Sequence, residues 1–234
     1  MSIIPPAPSF EQGLSIIRIH EPTLEFTTTA QFIGHEAWSV RLPKRSDNEI
    51  RHVFNPDNPQ NAKKLLERMN SKIGQFVGTI ALKNGEPIGY AWAHDDIGNM
   101  SIAQQKFKMM AMKLDGKKPY IWVAHINVLS SYQSKGIGSV LLKETLDPFD
   151  DDKKISTYVF DENQLTLNWF KKFGFIPKPK DAVDPNDRKD GPDIYFGEGA
   201  EHVSQWRLEA PQNIITRNNI ISQTALHCPV EDKY

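Results

Sequence analysis

The residues best suited to chemistry lie in one short stretch, Gln133-Ser134-Lys135-Gly136-Ile137-Gly138. It follows the β-patterned Ile126-Asn127-Val128 and precedes the apolar, helix-patterned Ser139-Val140-Leu141-Leu142. A strand feeding a glycine-bearing loop at a helix N-terminus frees several backbone N–H groups and adds the positive end of the helix dipole. It also lets an anion approach where a Cβ would block it. The chemistry this predicts is the holding of a phosphate. A P-loop would need Gly-x-x-x-x-Gly-Lys-Ser/Thr, which is absent, and a dinucleotide fingerprint would need a third glycine where Leu141 stands. Asp151 and Asp152 lie only roughly where a dinucleotide fold needs its acidic ribose ligand, and in an acidic turn rather than at a strand end.

Groups that move protons stand elsewhere. His94-Asp95-Asp96 ends a β-rich run and reads either as a base with a carboxylate pair or as an acidic strand-end turn. His125 and the hydroxyls of Tyr132 and Tyr158 flank the loop and the strand after it. Trp92 and Trp122 suit a pocket wall, although aromatic residues in sheets are commonly core. The single Cys228 excludes an intrachain disulfide framework and a cysteine-rich metal site. Asp181, Asp184, Asp187, Asp190 and Asp193 recur every third residue, but Pro179, Pro185 and Pro192 preclude a regular helix and the calcium-loop pattern is not met. A solvated acidic loop is expected there, with no metal.

A second signature follows the β-rich Ile155-Ser156-Thr157-Tyr158-Val159-Phe160. It is Asn163, then an aliphatic helix face, then Phe170 four residues before Gly174-Phe175. In this order and spacing, residues 133–138 and 163–175 resemble motifs A and B of the GNAT superfamily of acyl-CoA N-acyltransferases, a likeness that covers roughly residues 74–176. The resemblance implies an α/β (α+β) fold with a mixed, mostly antiparallel sheet, helices on both faces, and a splay between the fourth and fifth strands. It implies acetyl-CoA as co-substrate. The pantetheine would pair with the strand edge at Ile126 and Val128, and the pyrophosphate would lie on the amides of Gln133, Ser134, Lys135, Gly136, Ile137, Gly138 and Ser139. Asn163 and Phe170 would border the pantetheine. The expected reaction is direct transfer of an acetyl group to a primary amine of a small molecule or protein in a ternary complex.

The chain also departs from that family. Many members place a tyrosine, the acid for the thiolate, where this chain has Phe170, so Tyr132, Tyr158 or water must substitute. The strand positions where the family often places Glu or His as the base are Trp122 and Ala124 here, and His125 is one residue out of phase. By strand alternation it faces the other side unless a bulge re-aims it. His94 and Asp95, on the neighbouring strand, are the other candidates. These departures support an alternative, a catalytically weak acyl-CoA-binding or interaction module.

The elements that must position these residues follow from periodicity. A strand is expected at 15–20, helices at about 28–41 and 59–72, and a hairpin of 75–82 with 87–94 turning at Asn84-Gly85. A strand at 120–128, a helix to about 147, a strand at 155–160, a helix to about 173 and a late strand at 203–209 complete the domain. Residues 1–13 and 211–234 read as extensions around a domain of 14–210. The 96–118 stretch is an insertion whose residues 102–113 form an amphipathic helix, packing its methionines over the domain and walling the acceptor site. The chain has 39% apolar residues, enough for a core, and a net charge of −1, which gives no global attraction to nucleic acid or acidic membranes. The N-terminus lacks a basic start and a long apolar run, and no stretch approaches the ~18 apolar residues of a membrane span. A cytoplasmic protein is expected, and a homodimer is among the assemblies left open.

Overall fold

Asn84 and Gly85 turn the central hairpin with both residues at positive φ, 53° and 87°, the left-handed pair whose twist matches that of the flanking strands. In the computed structural model, which describes residues 12–42, 44–71, 74–96, 102–116, 120–160, 163–177, 205–223, 226 and 228–233, this turn joins β2 (Phe76–Lys83) to β3 (Glu86–Asp96). Upstream lie β1 (Leu14–Ile19), α1 (Leu24–Arg41), α2 (Asp47–Val53) and α3 (Pro59–Asn70). Downstream come α4 (Ile102–Leu114), β4 (Tyr120–Val128), a 3-10 turn (Ser130–Tyr132), α5 (Ile137–Leu146), β5 (Lys154–Phe160), α6 (Gln164–Lys172), β6 (Ile176–Pro177), β7 (Gln205–Gln212), α7 (Asn213–Gln223) and β8 (Val230–Lys233). One eight-stranded sheet runs β6-β7-β5-β4-β3-β2-β1-β8. Its pairs are antiparallel except β4 with β5 and β1 with β8. This is the mixed, mostly antiparallel sheet expected from the sequence.

Strand alternation divides the sheet between two helical layers. Val77, Ala93, Ile121 and Val123 pack with Leu142 and Leu146 of α5, whereas Phe76, Ile80, Tyr90 and Trp92 pack with Phe26, Ala30 and Ile33 of α1. The helices begin where local chemistry starts them. Thr23 caps α1 by accepting from Phe26 N, and Ser46 and Glu49 form a reciprocal capping box that supports the seven-residue α2. The aspartate series at 181–193 lies outside the described residues, as do residues 1–11.

Two stretches differ from the periodicity reading. Residues 213–223, which read as weakly patterned extension, form α7, whose Asn213 Nδ2 donates to the carbonyls of Leu146 and Phe149 at the end of α5. Residues 230–233 then add a parallel strand to β1, so the sheet runs past residue 210. In α4 the helix is as expected, but Phe107, Met110 and Leu114 are exposed and Gln105 is its buried side chain. The methionines therefore do not all face inward.

Candidate active site

β4 and β5 pair only at Ile121↔Ile155 and Trp122↔Ser156 and then diverge. The wedge so opened widens into a cavity of about 970 Å³ between β4, β5, α1 and α6. Helices α5 and α6, which follow these two strands, pack on the same side of the sheet, where Leu142 and Leu146 share a core with Leu167 and Phe170. The splay places an edge of β4, with its alternate N–H and C=O groups, beside a slot.

At one end of this slot is the glycine loop. Ser134 and Gly136 take φ of 61° and 84°, and Gly136 is the N-cap of α5. Gln133 Nε2 donates to the carbonyl of Val128 at 2.9 Å, tying the loop to the end of the strand. Gln133, Ser134, Gly136, Gly138 and Ser139 line the cavity together with Ile126 and Val128. The amides of Ile137 and Gly138, in the first turn of α5, have no intrahelical acceptor and carry the positive end of its dipole. A Cβ added at Gly138 would find its nearest neighbour at 3.6 Å, the Cζ2 of Trp169, so the groove between α5 and α6 is open at that point. Strand edge, amides and groove together fit a long thioester carrier that ends in phosphates. The side chains of two loop residues stay out of the cavity: Ile137 is buried in the core, and Lys135 donates to Ser131 O at 2.9 Å.

On the far wall Asn163 caps α6 by accepting from Thr166 N at 3.1 Å and borders the cavity. Phe170 also lines it, buried edge-on between Trp169 and Phe175 with both centroids at 4.8 Å. Tyr132 and Tyr158 both reach the cavity, Tyr158 edge-on against Trp122 at 4.9 Å.

The placement of His125 depends on a feature that periodicity could not supply. Trp92 pairs with His125 but Ala93 pairs with Val123, so Ala124 is an extra residue, a β-bulge in β4. The bulge turns His125 from the α5 face to the α1 face, beside Trp92, where it lines the cavity. Its ring lies under Trp38 at 6.4 Å and against Phe54 at 5.5 Å. Burial in this aromatic surround, with the Arg68 charge adding to it, pushes the imidazole down to about 3. Tyr90, fully buried behind it, is pushed well above the usual phenol value by the same desolvation.

His94 also lines the cavity, almost fully buried and stacked on Trp92 at 5.4 Å. Asp95 points elsewhere. Its carboxylate accepts from Lys153 Nζ at 2.7 Å and from the Gln75 amide at 2.6 Å, a buried pair that ties the end of β3 to the start of β5. It does not line the cavity, because one strand position separates it from His94 and neighbours alternate faces. Among the described residues, none of α4 lines the cavity either.

The sequence reading did not single out the contributions of α1 and α3. Trp38 and Arg41 of α1, its C-cap Leu42 and Arg68 of α3 close the α1 side of the cavity. Arg41 donates to Thr166 Oγ1 at 3.4 Å, and burial lowers its pKa. Their only sequence signal was the helical spacing of the segments that carry them. Among the described residues, no group of three or more His, Cys, Asp or Glu is placed to hold a metal ion. No described helix is long and apolar enough to cross a membrane.

A splayed β4–β5 pair with a glycine loop at the head of α5 is the frame of an acyl-CoA transferase. Residues 44–175, more than half of the chain, match the sequence profile of the acetyltransferase (GNAT) family, and the chain belongs to that family. The PaiA N-acetyltransferase of Thermoplasma acidophilum, solved in complex with coenzyme A, is 15% identical. It superposes with a TM-score of 0.54 over 85% of this chain and 98% of its own. An acetyltransferase of Thermus thermophilus is 12% identical, with a TM-score of 0.50 over 83% and 97% of the two chains. At these identities the likeness is one of fold. No curated protein sequence matches the chain.

Proposed function

We propose that this protein is an N-acetyltransferase that carries an acetyl group from acetyl-CoA to a primary amine by direct attack in a ternary complex. The observation that carries the reading is the slot itself, a β4 edge released from its neighbour and leading into the Ser134–Gly138 loop at the N-terminus of α5. The loop amides and the helix dipole suit the pyrophosphate, and the β4 edge at Ile126 and Val128 suits the amides of the pantetheine. Acetyl-CoA supplies the activated acyl carbon. The chain's own side chains must then strip the ammonium of a proton and protonate the departing thiolate. His94 is the imidazole assigned to the first task, through water. Tyr132 and Tyr158 are assigned to the second, since Phe170 has no proton to give. Asp95 supports this arrangement from outside, by fixing the end of β3 through Lys153. The acceptor is an amine of a small molecule or of a protein.

The Phe170 side chain favours a second reading, an acyl-CoA-binding module with weak turnover. Thiol release from acetyl-CoA separates the two. Release that rises with at least one member of an amine panel, and falls in His94→Gln, supports the enzyme. Saturable coenzyme A binding without thiol release from any amine overturns it in favour of the module.

A further inference from the structure

A buried chain of hydrogen bonds runs from α1 to β4 behind the cavity. Its direction follows from what each group can do. Trp38 Nε1–H can only donate, and it meets Asn127 Oδ1 at 3.1 Å. The asparagine is thereby oriented, and its Nδ2 donates to Tyr90 Oη at 3.0 Å. The Tyr90 hydroxyl, on a fully buried side chain, then has His125 Nδ1 at 3.2 Å to receive its hydrogen. A reversed last bond would strand the hydroxyl hydrogen in a dry interior. An Nδ1 that accepts leaves the imidazole hydrogen on Nε2, which makes no hydrogen bond within the described protein, and the ring lines the cavity.

We propose that His125 serves the transfer as a neutral N–H donor at Nε2, and that Trp38, Asn127 and Tyr90 are positioning residues that fix its tautomer. The inference rests on the acetyltransferase reading. The neutral amine's lone pair forms the new C–N bond as the carbonyl π pair moves onto oxygen, and the Nε2–H hydrogen-bonds that oxygen. When the pair returns, the C–S bond breaks and the thiolate leaves; the cationic nitrogen sheds one proton to water as the amide forms, and the thiolate takes up one proton, so no net proton is gained or lost. His125 keeps its own proton throughout. A donor preorganised in a water-poor site needs no reorganisation as the charge develops. The surroundings suit a neutral ring. Trp38 faces it from α1, Phe54 from the segment after α2, Trp92 from β3, and the charge that acts on it is Arg68 of α3, which disfavours an imidazolium.

The test uses the full chain labelled with ¹⁵N at histidine. Two-bond proton–nitrogen correlations report which ring nitrogen of His125 carries hydrogen, independently of turnover. The expected wild-type result is the Nε2–H tautomer, unchanged between pH of about 5 and about 8 where an ordinary histidine titrates. Tyr90→Phe should mix the tautomers and lower kcat about tenfold or more, with the KM for acetyl-CoA unchanged. His125→Gln, which keeps an amide N–H near Nε2, should retain activity to within about tenfold, whereas His125→Phe should lose about a hundredfold. An Nδ1–H tautomer or an imidazolium in the wild type overturns the proposal even if Tyr90→Phe does not fold. Equal loss in the Gln and Phe variants also overturns it, because a base would be abolished by both. Coenzyme A stabilisation, measured on the same samples, separates the two levels. Its absence defeats the acetyltransferase reading and the donor's role with it. Its presence with the wrong tautomer defeats this inference alone.

Discussion

The two glycines of the loop are separated by one residue, yet the same change should act on them with opposite sign. Gly136 sits at φ 84°, where a Cβ costs about 1–2 kcal/mol. At roughly 2–4 °C per kcal/mol for a chain of this size, Gly136→Ala should lower the apo Tm by about 2–8 °C. Gly138 lies in the first turn of α5, with 3.6 Å of room to Trp169 for the added methyl. Gly138→Ala should gain about 0.5–1 kcal/mol of helix propensity and raise the Tm by about 1–4 °C. Coenzyme A adds a second axis. At ~100 times Kd the wild type should gain about 2.7 kcal/mol, or roughly 5–11 °C. Relief of the strain at Gly136 must move the neighbouring amides. If affinity falls tenfold, the same concentration yields about 1.4 kcal/mol, so the ligand shift should halve. Gly138→Ala should keep the full shift, since its helical backbone N–H stays where it is and the added methyl meets only Trp169, at 3.6 Å. A thermal-shift titration of the three proteins with coenzyme A decides this. An unimpaired Gly136→Ala, in stability or in ligand shift, or a destabilised Gly138→Ala, would refute the loop geometry and the cofactor assignment built on it.

Three further outcomes are expected. Lys153→Met leaves the Asp95 carboxylate buried without its cation and should cost about 3–5 kcal/mol in urea unfolding, visible as a lower midpoint; a change under ~1 kcal/mol would show that the pair is not structural. The folded His125 titrates at about 3 against 6.5 when unfolded, so the unfolded chain binds the extra proton between these values and stability must fall as pH drops through that window. Between pH of about 7 and about 5 this amounts to about 2 kcal/mol, and His125→Gln should lose that much less stability than the wild type over the same interval. Parallel slopes would show an ordinary imidazole. Phe170→Tyr supplies a hydroxyl on the cavity wall, and thiol release should rise several-fold at unchanged coenzyme A affinity; no rise, in a variant that binds coenzyme A as before, would show that another group already protonates the thiolate.

How much was legible in advance tracks the range of the interactions involved. Asn84-Gly85, the 133–138 loop and the Asn163 cap each complete their geometry within a few residues of backbone, so residue type and spacing were sufficient. The apolar run Val140-Leu141-Leu142 of α5 likewise marked that helix as core, and its residues are buried. By contrast, α2 is seven residues long and shows mainly a capping box, too short for periodicity to register. Helix α7 lacks clean spacing because part of what fixes it is distant: Asn213 binds the carbonyls at the end of α5, and Arg217 pairs with Asp147 at 2.5 Å.

The sequence by itself determined the loop suited to an anion, because a left-handed glycine, a helix N-terminus and a strand end are local states of the chain, and the family and fold class followed from the resemblance of residues 133–138 and 163–175 to two motifs. Tertiary structure alone decided which candidate side chains reach the cavity. Asp95 is drawn off by Lys153, 58 residues away in the chain, which no spacing rule anticipates. His125 reaches the cavity through one extra residue in β4, and a bulge is defined only by two residues facing one on a partner strand. Its protonation state then rests on Trp38, Tyr90 and Asn127, brought from a helix and two strands around the imidazole, whose neutral form is favoured by desolvation.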